Sequence, residues 1–202
     1  MAINNGTSWP RNGLTPVRRD NTLEQYVRRY PASCGANNTP IGIGSAVSLV
    51  GGIVVPCTAG QDPDQAGFGV VVGVYNASGR PFTQQTVKVI ASGQAGQVDV
   101  LYDPNAEFVV RCEASVGYGD MLKNVTLTGG SAAASLPRII QAVTLPASAS
   151  VNDLFKFVRF DEQVDILGAG NGGLNTSAPA AGSGIIVRWN RHVFAPKSTG
   201  SN

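Results

Sequence analysis

The chain has little charge, no long apolar run and no recognisable leader. Asp, Glu, Lys and Arg make up 14% of its 202 residues, against about 25% in a typical soluble domain. No apolar stretch reaches the roughly 20 residues of a membrane helix, and the polar start lacks the apolar core of a secretory signal. These absences argue against a coiled coil, a charged disordered chain and a helical membrane protein. We expect a soluble protein made in the cytoplasm.

Residue types that usually carry chemistry are also scarce. The chain has a single histidine, His192, and no G-x-S-x-G nucleophile elbow. Its three cysteines, Cys34, Cys57 and Cys112, are an odd number without C-x-x-C spacing, which argues against a zinc ribbon and a complete disulfide framework. We interpret the cysteines as buried thiols and His192 as an ordinary residue at a strand end. The sequence therefore predicts no catalytic residue, no cofactor and no metal site, and hence no enzyme.

Two local patterns imitate functional sites. Asp161, Glu162 and Asp165 form the densest acidic cluster, but they lack the ligand order and central glycine of a calcium loop, and we interpret them as a solvated turn. Residues 168–173 match G-x-G-x-x-G, yet Leu-Asn-Thr-Ser-Ala-Pro follows, which is not the helix that a dinucleotide-binding loop requires. We interpret this match as accidental.

Branched apolar residues and turn formers are abundant instead. Valine (24) and isoleucine (10) outnumber leucine (11), and branching at Cβ favours strands over helices. Glycine (25) and proline (12) are frequent, and they separate short apolar segments at the spacing typical of a sandwich or barrel. The sequence predicts an all-β fold, a single antiparallel β-barrel or sandwich of β-tulip or jelly-roll type. The predicted strands cover residues 41–47, 48–55, 68–75, 87–91, 97–102, 107–113, 124–127, 139–145, 155–160, 163–167 and 184–189.

The segments between these strands have turn and loop composition. Gly51-Gly52 indicates a bend or a tight hairpin turn, and Asp103-Pro104-Asn105 is a turn in which proline fixes φ. Residues 121–123 are predicted to form one small helical turn. Residues 129–135 and 171–183 are rich in Gly, Ala and Ser, which predicts surface loops.

The first 31 residues differ from the rest of the chain. They hold five arginines against two acidic residues, a net charge of +3, whereas residues 32–202 have a net charge of −1. We predict a basic extended N-terminal arm over residues 1–31 and a β body over residues 32–202 that folds without the arm. Leu23, Tyr26, Val27 and Tyr30 have the spacing of an amphipathic helix, so a short helix over residues 21–30 is the alternative to an extended chain.

Arginine and aromatic residues are the types enriched at the centres of protein–protein interfaces. Five arginines in 31 residues are sparse beside a nucleic-acid-binding tail, so we predict that the arm docks on a protein, with no nucleic acid and no membrane as partner. The predicted binding residues are Trp9, Arg11, Arg18, Arg19, Tyr26, Arg28, Arg29 and Tyr30.

Four segments occur in an order that resembles a known family. They are Gly-Val-Tyr-Asn-Ala-Ser-Gly-Arg-Pro at 73–81, Val-Asp-Val-Leu-Tyr-Asp-Pro-Asn-Ala-Glu-Phe-Val-Val at 98–110, Asp-Ile-Leu-Gly-Ala-Gly-Asn-Gly-Gly at 165–173 and Ile-Val-Arg-Trp-Asn-Arg-His at 186–192. In this order they resemble the head structural proteins of tailed bacteriophages called capsid cement or decoration proteins. The chain departs from that family in its Ala/Gly/Ser loop at 171–183, which stands where a short polar segment is usual.

The resemblance implies a virion protein without catalytic activity. Such a protein binds the outer surface of the capsid, contacts the major capsid protein and stabilises the lattice against internal pressure. We expect a homotrimer, with a dimer as the alternative. Two other functions stay open: a head fibre or host-facing carbohydrate-binding module, which requires an exposed aromatic patch, and a glycan hydrolase, which requires paired carboxylates across a cleft.

Overall fold

The computed structural model describes residues 13–17, 26–35, 39–57, 66–81, 89–128, 131–132, 139–146, 150, 152–160 and 184–194. Within these residues the protein is all-β, as predicted, and a 3-10 turn lies at Tyr118–Asp120. The strands are β1 (Thr15–Pro16), β2 (Val27–Ser33), β3 (Ala46–Val50), β4 (Ile53–Pro56), β5 (Gly69–Tyr75), β6 (Ala95–Leu101), β7 (Glu107–Arg111), β8 (Asn124–Leu127), β9 (Ser131–Ala132), β10 (Ile139–Ile140), β11 (Val143–Thr144), β12 (Phe155–Phe160) and β13 (Gly184–Trp189).

Five strands form a closed barrel in the order β2-β4-β3-β5-β6. A closed ring of five strands cannot alternate in direction all the way round, so one neighbouring pair must be parallel. That pair is β2 and β4, which meet at Ala32 and Val54, while the other pairs are antiparallel. The β3–β4 hairpin turns at Gly51 (φ 58°) and Gly52 (φ 83°). Positive φ at both central residues is the requirement of a type I′ turn, which confirms the predicted hairpin.

A six-stranded sheet has the order β1-β7-β13-β12-β8-β11, and all its pairs are antiparallel. It curls towards closure, because Cys112 at the end of β7 bridges to Val143 in β11 at the far edge. Strands β9 and β10 form a separate two-stranded ribbon. The ribbon places strand structure at residues 131–132, inside a segment predicted to be a loop.

One apolar core joins the barrel to the sheet. Barrel residues Val70 and Leu101 pack in the same cluster as sheet residues Phe108, Phe155 and Phe157. A second cluster fills the barrel around the buried Phe68, and the residues packed with it include Ala32, Ile41, Val54, Val98 and Val100. The three cysteines are buried thiols without disulfides, as predicted.

The N-terminal residues are where the structure corrects the sequence prediction. Leu14 is buried in the shared core, and β1 pairs with β7. Strand β2 pairs with β6 at every residue from Val27 to Ser33. The predicted boundary between arm and body at residues 31 and 32 therefore lies inside a barrel strand, so the arm prediction is wrong for residues 27–31. The helix alternative is wrong over residues 27–30, because barrel pairing overrides the local helical spacing.

Several other predictions have a clear outcome. The turn at residues 103–105 is confirmed, since the Asn105 amide donates to Asp103 Oδ1 at 2.8 Å. The helical turn predicted at 121–123 lies three residues earlier, at Tyr118–Asp120. The predicted strand at 163–167, the acidic cluster at 161–165 and the glycine motif at 168–173 fall outside the described residues.

Candidate protein-binding surface

Strand β2 alternates between the barrel interior and the outer surface. Ala32 and Tyr30 lie on the inward face, where both pack against the apolar cluster of the barrel. Arg28 has the same parity but lies at the barrel end, where it is exposed and its guanidinium stands 5.9 Å from the centre of the Tyr102 ring. This end is where β2 and β5 begin and β6 ends. It therefore brings residues from distant parts of the chain together.

Aromatic side chains cluster at this barrel end. Phe68 is buried at the base, with Tyr30 edge-on at 5.0 Å and Tyr102 stacked at 6.2 Å between ring centres. Phe194 reaches the same cluster, 6.1 Å from Phe68 and 6.3 Å from Tyr102. Tyr26 meets Tyr102 edge-on at 5.9 Å. The buried Phe68 ring thus packs against Tyr102 and Phe194, which lie further out.

The outer members of this cluster form an exposed surface. Phe194 is 63% exposed and Tyr26 is 37% exposed. We call Tyr26, Arg28, Tyr102 and Phe194 the aromatic rim. A partner that covers the exposed Phe194 ring would gain roughly 1.5–3 kcal/mol from its burial, and the neighbouring rings already hold it in place. The rim is therefore the strongest candidate binding surface in the described part of the chain.

His192 fixes the chain that carries Phe194. Its Nε2 lies 2.7 Å from the carbonyl oxygen of Phe68, and its Nδ1 accepts from the Phe194 amide at 3.2 Å. A carbonyl only accepts, so Nε2 carries the proton and the imidazole is neutral. Burial lowers the pKa of His192, which favours the same neutral form. Both ring nitrogens therefore serve to position the end of the chain beside Phe68.

Arg29, next to Arg28 in sequence, has a different role on the outer face of the barrel. Its Nε donates to Asp99 Oδ1 at 2.8 Å and its Nη2 to Oδ2 at 3.2 Å, while its guanidinium lies 3.6 Å from the centre of the Tyr75 ring. The Tyr75 hydroxyl donates to Asp99 Oδ2 at 2.6 Å. The hydrogen bonds from Arg29 lower the pKa of Asp99. Arg29 thus joins β2 to β6 and β5.

The structure brings together only part of the predicted binding set. Tyr26, Arg28 and Tyr30 lie at one barrel end, and Arg29 lies on the barrel wall. The other four predicted residues fall outside the described part of the chain: Trp9, Arg11, Arg18 and Arg19.

Sequence reasoning missed two members of the rim. Tyr102 lies at the end of a predicted strand, and Phe194 lies five residues after the last predicted strand. The available signal is that Tyr102 is an aromatic residue beside the predicted turn at 103–105 and that Phe194 is an aromatic residue two positions after His192.

Other types of site have little support among the described residues. In that part of the chain no three His, Cys, Asp or Glu side chains converge as a metal site would require. Nor do the described ranges contain a helix with the length and apolar character needed to cross a membrane. Comparisons with protein-family models, with curated proteins and with solved structures found no match. No relative therefore assigns a function to the aromatic rim.

Proposed function

We propose that this protein is a structural protein without catalytic activity that binds another protein through the aromatic rim, and that its partner is the major capsid protein on the outer surface of a phage capsid. The observation that carries the proposal is Phe194, which is 63% exposed yet supported by Phe68, Tyr102 and His192. Aromatic and arginine side chains are the types that dominate binding energy at protein interfaces.

The geometry of the rim suits a protein partner. Because neighbouring rings and His192 already restrict Phe194, less side-chain entropy is lost when a partner covers it. Arg28 contributes an exposed guanidinium beside these rings, and a guanidinium can bind a carboxylate through two parallel hydrogen bonds. An apolar centre with an arginine at its edge is the usual anatomy of a protein-binding surface.

The choice of a capsid as the partner rests on the sequence resemblance described above. The resemblance also implies a location on the virion exterior, where the protein would stabilise the capsid lattice. Trp9, Arg11, Arg18 and Arg19 remain predicted contacts of the same interface. A homotrimer, or alternatively a dimer, remains the predicted assembly.

A carbohydrate-binding function is the second candidate, because the rim is an exposed aromatic surface of the kind that this function requires. Sites for small ligands combine aromatic walls with a few convergent polar groups. The rim rings meet edge-on, at 74° between Tyr26 and Tyr102 and 72° between Tyr102 and Phe194. The rings therefore do not share one plane, and Arg28 beside them suits a carboxylate of a protein partner, so we favour protein binding.

Co-sedimentation with capsids purified without this protein tests the proposal. We expect Phe194→Ala to weaken capsid binding at least tenfold, which corresponds to about 1.4 kcal/mol. Arg28→Ala should also weaken binding, more so at low salt, because ions screen exposed charges. Val50→Ala is the matched control, since Val50 is an exposed apolar residue of the β3–β4 hairpin outside the rim.

Thermal melting of each variant establishes that its fold is retained. Unchanged capsid binding by folded Phe194→Ala and Arg28→Ala variants would contradict the proposal. Glycan-array binding that requires Phe194, together with unchanged capsid binding, would favour the carbohydrate candidate.

A further inference from the structure

Both nitrogens of the His192 imidazole are engaged, and each of the two hydrogen bonds has a fixed direction. Nε2 donates to the Phe68 carbonyl oxygen at 2.7 Å, and Nδ1 accepts from the Phe194 amide at 3.2 Å. Because a carbonyl only accepts and an amide N–H only donates, the two bonds together require the neutral imidazole with its proton on Nε2. The ring is 3% exposed, so water has little access to replace either partner.

Protonation of the imidazole affects the two hydrogen bonds in opposite ways. The added proton goes to Nδ1, because Nε2 already carries one, and the imidazolium then has two donors and no acceptor. The bond from Nε2 to the Phe68 carbonyl persists and becomes charge-assisted. At Nδ1 two N–H donors then face each other, so the bond from the Phe194 amide is lost. A single proton therefore releases Phe194 while the ring stays bound to Phe68.

The chain just before Phe194 is held by backbone hydrogen bonds that do not titrate. The Gly67 amide donates to the Arg191 carbonyl at 3.0 Å, and the Val193 amide donates to the Gly67 carbonyl at 3.0 Å. These bonds fix Val193 whatever the charge of the imidazole. The Phe194 amide, in contrast, depends on His192, and the Phe194 ring lies 5.6 Å from the imidazole centre. Loss of the Nδ1 bond should therefore loosen the chain at Phe194 and not at Val193.

The groups around the ring determine where His192 takes up its proton. Two charged residues lie on the described segments around it: Asp103, in the turn after β6, and Arg191, which donates to a backbone carbonyl of the segment before β12. Trp189, edge-on to the imidazole at 5.5 Å, has no titratable group. Burial lowers the pKa of His192, while the Phe68 carbonyl and the Asp103 carboxylate raise it by less, so the proton binds below pH 6.5.

We propose that His192 is a proton-operated switch of the aromatic rim: the neutral ring holds Phe194 in the rim, and the protonated ring releases Phe194 and weakens binding to the partner protein. The effect on binding rests on the proposed function, whereas the release of Phe194 does not. A restrained Phe194 loses less side-chain entropy when a partner covers it, so its release lowers the affinity. We expect about a fivefold change in the dissociation constant, the equivalent of the roughly 1 kcal/mol that one hydrogen bond contributes.

Nuclear magnetic resonance of the full chain, titrated downwards from about pH 8, tests the release of Phe194 directly. The amide proton shift of Phe194 should move upfield with the same midpoint as the His192 ring. Its backbone order parameter should fall from about 0.85 to below about 0.6, whereas that of Val193 should stay near about 0.85. Titration of His192 without a change at Phe194 would overturn the proposal, as would an imidazole that remains neutral until the protein unfolds.

Two substitutions separate the two bonds of the ring. In His192→Asn the side-chain oxygen replaces Nδ1 and accepts from the amide two residues on, as in an Asx turn, but it does not titrate. In His192→Gln the side-chain amide replaces Nε2 as the donor to Phe68, and the Phe194 amide loses its acceptor. We expect Phe194 to be ordered at every pH in His192→Asn and mobile at every pH in His192→Gln. Thermal melting at each pH establishes that each variant is folded, and the titration of the original chain decides where one is not.

Co-sedimentation with capsids above and below the His192 midpoint tests the effect on binding. The original chain should bind about fivefold more weakly below the midpoint, whereas His192→Asn should bind equally at both pH values. An equal pH effect on both chains would come from the capsid and would overturn the effect on binding. Failure of the proposed function is seen separately, as unchanged capsid binding by Phe194→Ala at neutral pH, because the magnetic resonance titration needs no capsid.

Discussion

Removal of the first 31 residues should unfold the barrel. This deletion removes Leu14, β1 and residues 27–31 of β2. Those five residues of β2 pair with β6 from Leu101 to Gln97. The deletion therefore takes away part of the barrel wall.

The size of the effect follows from the lost contacts. Five paired positions correspond to about five backbone hydrogen bonds, each worth about 1 kcal/mol net, or on the order of 5 kcal/mol together. The loss of buried Leu14 adds about 2–5 kcal/mol, as for large-to-small core substitutions. Tyr30, which covers Phe68, is lost as well. The total is comparable with the entire stability of a typical domain, about 5–15 kcal/mol.

Urea unfolding followed by circular dichroism and by tryptophan fluorescence measures this effect. Trp189 is a suitable reporter because it packs against Phe108 and Phe155 in the core. We expect cooperative unfolding of the full chain and no cooperative transition for the chain lacking residues 1–31. A cooperative transition of that truncated chain, at nearly the urea concentration of the full chain, would refute the assignment of β2 to the barrel.

Three further predictions follow from single residues. Leu14→Ala should lower the free energy of unfolding by about 2–5 kcal/mol in urea titrations, whereas Val50→Ala, at an exposed position, should change it by less than about 0.5 kcal/mol. Asp99→Asn should destabilise the protein at pH 7, and the difference in stability between the two chains should shrink as the pH falls below about 4. The hydrogen bonds from Arg29 lower the pKa of Asp99, so the stability that the Asp99 carboxylate contributes is lost when it is protonated. Nuclear magnetic resonance titration of His192 should give a pKa below 6.5, and stability should fall as the pH drops below 6.5, because the unfolded chain takes up this proton first. A His192 pKa above 6.5, or a pH-independent Asp99→Asn effect, would contradict the geometry described for that residue.

Features that depend on neighbouring residues were predictable from the sequence. Gly51-Gly52 indicates a tight hairpin because both positions need positive φ, which glycine adopts without strain. The turn at Asp103 follows from side-chain bonding to a backbone amide two residues on. These interactions span at most a few residues, so the local pattern contains the information.

Strand β2 was missed because its partner is distant in sequence. Arg28, Arg29 and Pro31 are atypical of a barrel strand, and the spacing of Tyr26 and Tyr30 resembles a helix. The pairing of Arg29 opposite Asp99 explains the charge, but those residues are 70 positions apart. Pro31 is tolerated because β2 pairs with β4 at Ala32 alone, which leaves its other edge open at the proline.

Only part of the candidate site could be predicted, because its residues come from distant parts of the chain. Tyr26 and Arg28 were selected by residue type, since tyrosine and arginine are common at interfaces. Tyr102 and Phe194 join them only because β6 and the chain after β13 end beside the start of β2. No local pattern in the sequence predicts that these three chain segments lie side by side.

The most direct test of the proposed function is an electron cryomicroscopy reconstruction of capsids decorated with the purified protein. The proposal predicts that the barrel end bearing Tyr26, Arg28 and Phe194 faces the capsid shell, and that density for the protein is lost when Phe194→Ala replaces the original chain. A reconstruction in which this barrel end points away from the shell, with another surface in contact with the major capsid protein, would contradict the proposal.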